Sequence, residues 1–168
     1  QTGKVMKDKR QRGRVMNKHA RSNHCISTYS QKANYSEGQG TIHTFHDISI
    51  MEKIRKEFAK FGNKFKFDVA EGNLYRDGGQ KVNGIGWHGD SERRRVLMFR
   101  LGKSPSMPFY YRWSYQSKHI GKLMKFDIEP GDVMIMSEWA VGTEWKKSSL
   151  VTLRHATGAD KFVKPNIK

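Results

Sequence analysis

The chain has a single cysteine, Cys25, among 168 residues. An intrachain disulfide and a cysteine-rich zinc cluster are thereby excluded, and a reducing compartment is the expected setting. Nowhere does an apolar run approach the roughly 20 residues of a membrane span, and the first residues lack the apolar core of a secretory signal. The expectation is a soluble intracellular protein, cytoplasmic or nuclear, with no membrane partner. Acidic residues are scarce as well: 16 Asp and Glu stand against 32 Lys and Arg, a formal charge of +16 with a pI of about 10.1. An enzyme of small neutral metabolites has no need of such a field. Polyanions respond to it, so DNA or RNA, single strands included, is the expected partner class.

The length suits one ordinary core, and the default is a monomer with one compact domain and a tail. Residues 4 to 21 carry Lys4, Lys7, Lys9, Arg10, Arg12, Arg14, Lys18 and Arg21 against Asp8 alone. Such a stretch cannot bury enough surface to offset its ordering entropy, so residues 1–24 are read as a basic arm that is loose or orders on a polyanion. Residues 25–168 are read as one domain, with 22 to 46 forming loops and one short strand. A helix is expected over 49 to 61: Ser49 and Glu52 have capping-box spacing, Ile50, Ile54, Phe58 and Phe61 recur at helical spacing, and Gly62 suits the stop. Short β-rich runs follow at 65 to 76, 94 to 101, 108 to 115, 122 to 128, 132 to 137 and 150 to 155. No internal repeat is visible. Many short strands with one early helix predict a mainly β, α+β fold, a sandwich or jelly roll buttressed by that helix.

The most informative segment runs from Asn73 to Glu92 and contains Trp87-His88-Gly89-Asp90. On an extended strand end, His88 and Asp90 are two apart and share a face, one offering an imidazole nitrogen and the other a carboxylate oxygen. They make two-thirds of a two-histidine, one-carboxylate metal triad, which leaves coordination positions open for a cosubstrate and dioxygen.

The surrounding residues carry a resemblance over roughly 66 to 155. Asn73, Tyr75, Asp77 and Gly78, then Ile85, Gly86, His88, Asp90 and Glu92, match the order and spacing of the AlkB branch of iron(II)- and 2-oxoglutarate-dependent oxygenases. The strand ending at Leu101-Gly102, the aromatic strand around Phe109 to Trp113 and the Gly131-Asp132 turn before an apolar strand are similar to that family in order too. The resemblance implies a double-stranded β-helix (jelly roll, cupin-like), Fe(II) as metal and 2-oxoglutarate as cosubstrate, with Asn73 and Tyr75 hydrogen-bonding the latter. It implies oxidation of an N-methylated base in DNA or RNA, with succinate as coproduct.

The chain departs from the family at the third ligand. The family position falls near Glu144 to Lys146, where no histidine stands. His155 is the candidate, ahead of His119 in a Lys- and Ser-rich turn, with Glu144 or water as the alternative. Thr152-Leu153-Arg154 matches the letters of the family strand whose Arg holds the cosubstrate carboxylate. Yet Arg154 and His155 are strand neighbours and should point to opposite faces. If His155 binds iron, the cation comes from Lys164 or Lys161, as in prolyl hydroxylases; if Arg154 holds the cosubstrate, the third ligand comes from elsewhere. Arg93, Arg94, Arg95, Lys18 and Arg21 are the expected phosphate contacts. Two other readings stay open: a protein side-chain hydroxylase or demethylase, and a catalytically inactive nucleic-acid-binding module.

Overall fold

The computed structural model describes residues 7–8, 14–15, 21–76, 81–103 and 106–164. The chain is mainly β with few helices and divides into two compact units, Gln1–Leu74 and Tyr75–Lys168. Lys18 lies outside the described residues.

In the first unit a two-residue ribbon pairs β1 (Lys7–Asp8) with β2 (Arg14–Val15). A second sheet has the order β4-β3-β5, from β3 (Ser22–Ser27), β4 (His43–Thr44) and β5 (Val69–Leu74). The expected end of the basic arm, after residue 24, therefore falls inside β3. This strand buries Cys25, Ile26 and Ser27, and Ile42 and Phe45 are buried in the same unit.

Helix α1 (Ser49–Ala59) begins where expected but not by the expected cap. Its N-cap is Ile48, and no side chain caps it. Glu52, the would-be reciprocal partner of Ser49, is held by Arg55 at 2.9 Å and Lys56 at 3.2 Å, one turn farther on. The reciprocal pair forms one turn earlier: the Thr44 amide donates to Asp47 Oδ2 at 2.9 Å and the Asp47 amide to Thr44 Oγ1 at 3.1 Å. No residue of α1 is buried, so it does not seal a sheet with its apolar stripe as a buttress would. The stripe instead continues as an aromatic run, Phe58 to Phe61 at 5.9 Å and Phe61 to Phe65 at 6.2 Å.

The second unit holds β6 (Gly84–His88), β7 (Val96–Phe99), β8 (Met107–Tyr115), β9 (Lys118–Ile128), β10 (Val133–Met136), the short α2 (Glu138–Val141) and β11 (Thr152–Gly158). One antiparallel sheet has the order β6-β11-β8-β9, and the other pairs β7 with β10. Strand β8 is central and rich in aromatics. Its Phe109 and Tyr111 form a buried cluster with Met136 and Val141, against which Val96, Met98, Met124, Ile128, Met134 and Leu153 pack. Residues of both sheets share this cluster, so it joins them. Each fully buried side chain of this size contributes about 1.5–3 kcal/mol. Tyr110 faces the other way, into a small cluster with Ala156 and Val163 under Trp87.

The expected turn around His119 is shorter than the sequence suggests. Gln116 and Ser117 both have positive φ, 46° and 63°, and by themselves link β8 to β9 as a two-residue hairpin loop does. His119 is thereby the second residue of β9, not part of a turn. Strand β9 forms the edge, and Lys118, Lys122 and Lys125 along it discourage pairing with a foreign strand.

Where β11 ends, Gly158 has φ 93°, and a Cβ there would lie 2.5 Å from the Asn83 carbonyl and 2.6 Å from Gly84 Cα. Gly131 has φ 100° with open space around it. Backbone strain alone costs about 1–3 kcal/mol, so Gly131→Ala should lower the urea midpoint modestly. Gly158→Ala should lower it by clearly more, because the Asn83–Gly84 backbone must also move. Equal midpoints for the two variants would contradict this packing.

Candidate metal centre

The site is built by strand register. His88 ends β6 and is the cross-strand partner of His155 on β11. Directly opposed residues of an antiparallel pair put their side chains on one face, and the two imidazoles meet with ring centroids 4.3 Å apart. Asp90 follows through Gly89, where a Cβ would meet the Trp145 side chain at 2.8 Å; only glycine fits the approach of the 142–145 segment. The Asp90 amide donates to the Val141 carbonyl at 3.0 Å, which fixes the loop. Asp90 Oδ1 lies 4.0 Å from His88 Nε2, and Oδ2 lies 3.9 Å from His155 Nε2.

One ligand atom from each of His88, Asp90 and His155 falls within 4.8 Å of the others. Bonds of about 2.0–2.2 Å to a divalent transition metal would bring such atoms to roughly 3–3.5 Å from one another. Small side-chain rotations close that difference.

The protonation states suit a metal. His88 Nδ1 is 2.7 Å from the Gly86 carbonyl; a carbonyl only accepts, so Nδ1 carries the proton and Nε2 presents its lone pair toward Asp90. His155 is 6% exposed. Phe109 stacks on its ring at 5.7 Å, and Tyr111, its partner on β8, meets it edge-on at 6.0 Å. Burial first, then the nearby His88 and Arg93, push its pKa down to about 3, and the Ala140 carbonyl offsets part of this. His155 Nδ1 is buried without a hydrogen-bond partner of good geometry. A dry, neutral imidazole beside a carboxylate is the donor set expected of a metal ligand. Burial raises the Tyr111 hydroxyl well above the usual phenol range, so it stays protonated.

Other expected site residues are placed as follows. Arg93 Nη1 lies 3.6 Å from Asp90 Oδ2, so one of the three arginines touches the triad's carboxylate. Arg94 pairs with Glu138 at 3.2 Å on the surface, and Arg95 is half-buried. Arg154 points to the opposite face from His155, as strand alternation requires, with its guanidinium 5.4 Å over the Trp145 ring. Lys164 is exposed and pairs with Asp160 at 2.9 Å; Lys161 lies over the Phe162 ring. Glu144, the alternative ligand, pairs with Lys147. In the first unit, Asn73 Oδ1 accepts from Arg21 Nε at 2.8 Å and Asn23 Nδ2 at 3.1 Å. Tyr75 is half-buried.

Three contributors escaped the sequence reading: the Gly86 carbonyl, the Arg93 contact and the β8 aromatics around His155. The spacing of Gly86 and His88 on one strand could have suggested the first, whereas the others needed the registers of β8 and of the 90–93 turn.

No protein-family model and no solved structure matches the chain. The chain is similar to an uncharacterized protein of Acanthamoeba polyphaga mimivirus, 45% identical over 154 residues, which is 90% of this chain and 58% of the viral protein. The chain thus spans less than two thirds of that relative's length.

In metal-free protein the folded His155 pKa, about 3, lies below the unfolded value of about 6.5. The unfolded chain binds the extra proton between these values, so this residue's contribution is intact above pH 6.5 and is lost as pH falls toward 3. The slope is up to about 1.4 kcal/mol per pH unit. His155→Gln should flatten the acid limb of urea stability; a limb identical to that of the unsubstituted protein would show that the imidazole charges in place. Separately, Mn(II) should raise the thermal midpoint of the protein and leave that of Asp90→Ala unmoved. Equal shifts would place the ion elsewhere.

Proposed function

We propose that this chain is an iron(II)- and 2-oxoglutarate-dependent oxygenase on a double-stranded β-helix, and that it oxidises a nucleic-acid base, by demethylation or hydroxylation. The observation that carries the reading is the convergence of His88, Asp90 and His155 from two paired strands and the loop between sheets. Iron(II) held there would supply oxygen activation coupled to conversion of 2-oxoglutarate to succinate.

The chain's own residues would set the conditions. Gly86 fixes the His88 tautomer, burial keeps His155 unprotonated, and Arg93 and the Val141 carbonyl restrain Asp90. Phe109 and Tyr111 keep water from the rear of the site. Successive strands alternate between sheets, β6 in one, β7 in the other, β8 and β9 back in the first, β10 in the second and β11 in the first. That winding supports the jelly-roll reading. Tyr75 is carried over by resemblance as a hydrogen-bonding partner of the cosubstrate, whereas Asn73 belongs to the first unit, where its Oδ1 accepts from Arg21 and Asn23. Its far carboxylate requires a cation, and neither Arg154, packed on Trp145, nor Lys164, paired at the surface, is offered for it.

Three features support a nucleic acid: the charge of +16, the exposed Arg94 and aromatic surface on the metal-bearing sheet face. Trp113 pairs with Leu153, two residues along from the Tyr111–His155 pair, and is 41% exposed. It shares that face with its partner Ile120, and with Tyr115 opposite Lys118. An exposed indole next to a base-oxidising site offers a stacking platform, with lysine beside it for phosphate.

With Fe(II) and 2-oxoglutarate, an N-methylated single-stranded oligonucleotide should raise succinate formation above the uncoupled background. Asp90→Ala should abolish it, and turnover surviving that change would remove the metal assignment. Trp113→Ala should raise KM for the oligonucleotide about tenfold, one stacking interaction, with kcat little changed. Succinate formed at a rate indifferent to oligonucleotides would redirect the search to protein side chains.

A further inference from the structure

The face of the β6-β11-β8-β9 sheet turned away from the triad bears a second constellation, which the oxygenase reading does not use. Arg154 on β11 and Arg112 on β8 are direct cross-strand partners, so two guanidinium side chains leave adjacent strands on the same face. Like charges directly opposed across strands destabilise a sheet. Both side chains are half-buried, and the Nε of each is buried with no hydrogen-bond partner. Arg154 has the Trp145 carbonyl at 3.4 Å, a long contact that neutralises no charge. Among the described residues no carboxylate pairs with Arg112 or Arg154.

One row farther along, Thr152, Ser114 and His119 lie side by side on β11, β8 and β9. Ser114 is fully buried, with its Oγ 3.1 Å from His119 Nδ1. Trp87 reaches over to the His119 ring at 4.9 Å, and Trp145 borders Arg154. Burial first, then Arg112 and Arg154, hold His119 below the usual imidazole range. Both arginines thus lie close enough to His119 to oppose its protonation, after burial.

Paired cations with dry, unused donors between aromatic walls form a half-built ion pair. Leaving buried donors unmade costs about 1–3 kcal/mol each, and an arginine fork matches tetrahedral oxyanions through two parallel bonds. We infer that Arg112 and Arg154, with His119 beside them, form a phosphate-binding site on the sheet face opposite the metal triad. The phosphate is either a backbone group of a nucleic-acid strand or free inorganic phosphate. The site stands without the metal and without the oxygenase reading.

The test is a titration of the full chain, metal-free, first with inorganic phosphate and then with an unmodified single-stranded oligonucleotide. Phosphate at tenfold its dissociation constant should raise the thermal midpoint by about 3–6 °C at constant ionic strength. The double variant Arg112→Gln, Arg154→Gln should lose that shift. In phosphate-free buffer it should melt at or above the temperature of the unsubstituted protein, because a repulsive pair has been removed. A merely structural arginine pair would give the reverse, a lower midpoint with the phosphate shift retained, and this overturns the inference. An unchanged midpoint with phosphate and no oligonucleotide binding lost in the variant overturns it equally. Should the Gln variant fail to fold, Arg112→Lys keeps the charge but loses the fork. It should bind phosphate roughly tenfold more weakly, one charge-assisted hydrogen bond, and an unaltered affinity would count against the site. Displacement of phosphate by the oligonucleotide identifies the strand backbone as the source. Phosphate binding that the oligonucleotide does not disturb identifies free phosphate. Either result leaves the site standing.

Discussion

The position of β11 between β6 and β8 governs nearly everything else in the second unit. Its register on β6 sets His155 opposite His88, and its register on β8 sets the same residue opposite Tyr111. A slip of one residue would turn His155 outward and bring Arg154 inward, leaving a guanidinium against His88 and an apolar cluster without Leu153. The register is held from both ends. Thr157 donates its hydroxyl to the Pro108 carbonyl at 2.9 Å, and Gly158 and Gly142 let neighbouring backbone approach more closely than any side chain would allow.

Much of this was legible in the sequence because the relevant signals are local. The runs expected at 94 to 101, 108 to 115, 132 to 137 and 150 to 155 each contain or overlap a strand, Val96–Phe99, Met107–Tyr115, Val133–Met136 and Thr152–Gly158. The His-x-Asp pair is local too, since two residues at a strand end share a face whatever lies around them. His155 was reachable by elimination, and strand alternation already separated it from Arg154.

What escaped was set by competition or by distant partners. Glu52 had the spacing to cap α1, but Arg55 and Lys56 lie one turn away and pair with its carboxylate instead. His119 looked like a turn residue because it stands among Lys and Ser; the reversal needs only two residues, and they adopt positive φ without glycine. Arg93 was read as a phosphate contact, and in the structure its Nη1 lies 3.6 Å from the carboxylate of Asp90. No local pattern announces the Arg112–Arg154 pair, which exists only through the register of two strands 42 positions apart in the sequence.

Strand alternation thereby sets the triad and the arginine pair on opposite faces of one sheet. On the inner face the carboxylate of Asp90 stands between the imidazoles of His88 and His155, with Phe109 and Tyr111 packed around the latter. On the outer face Arg112 and Arg154 stand opposite each other, and among the described residues no carboxylate pairs with either. Because the side-chain period of a strand is two, neighbouring residues Arg154 and His155 serve these faces from the same strand without interfering. The field of each also reaches the other weakly through the thickness of the sheet. A metal cation on one side and a phosphate on the other would then favour each other's binding, as opposite charges do across a medium of low dielectric. Strand alternation, more than the net charge of +16, is what would make an anion and a divalent metal compatible ligands of one small β-sheet.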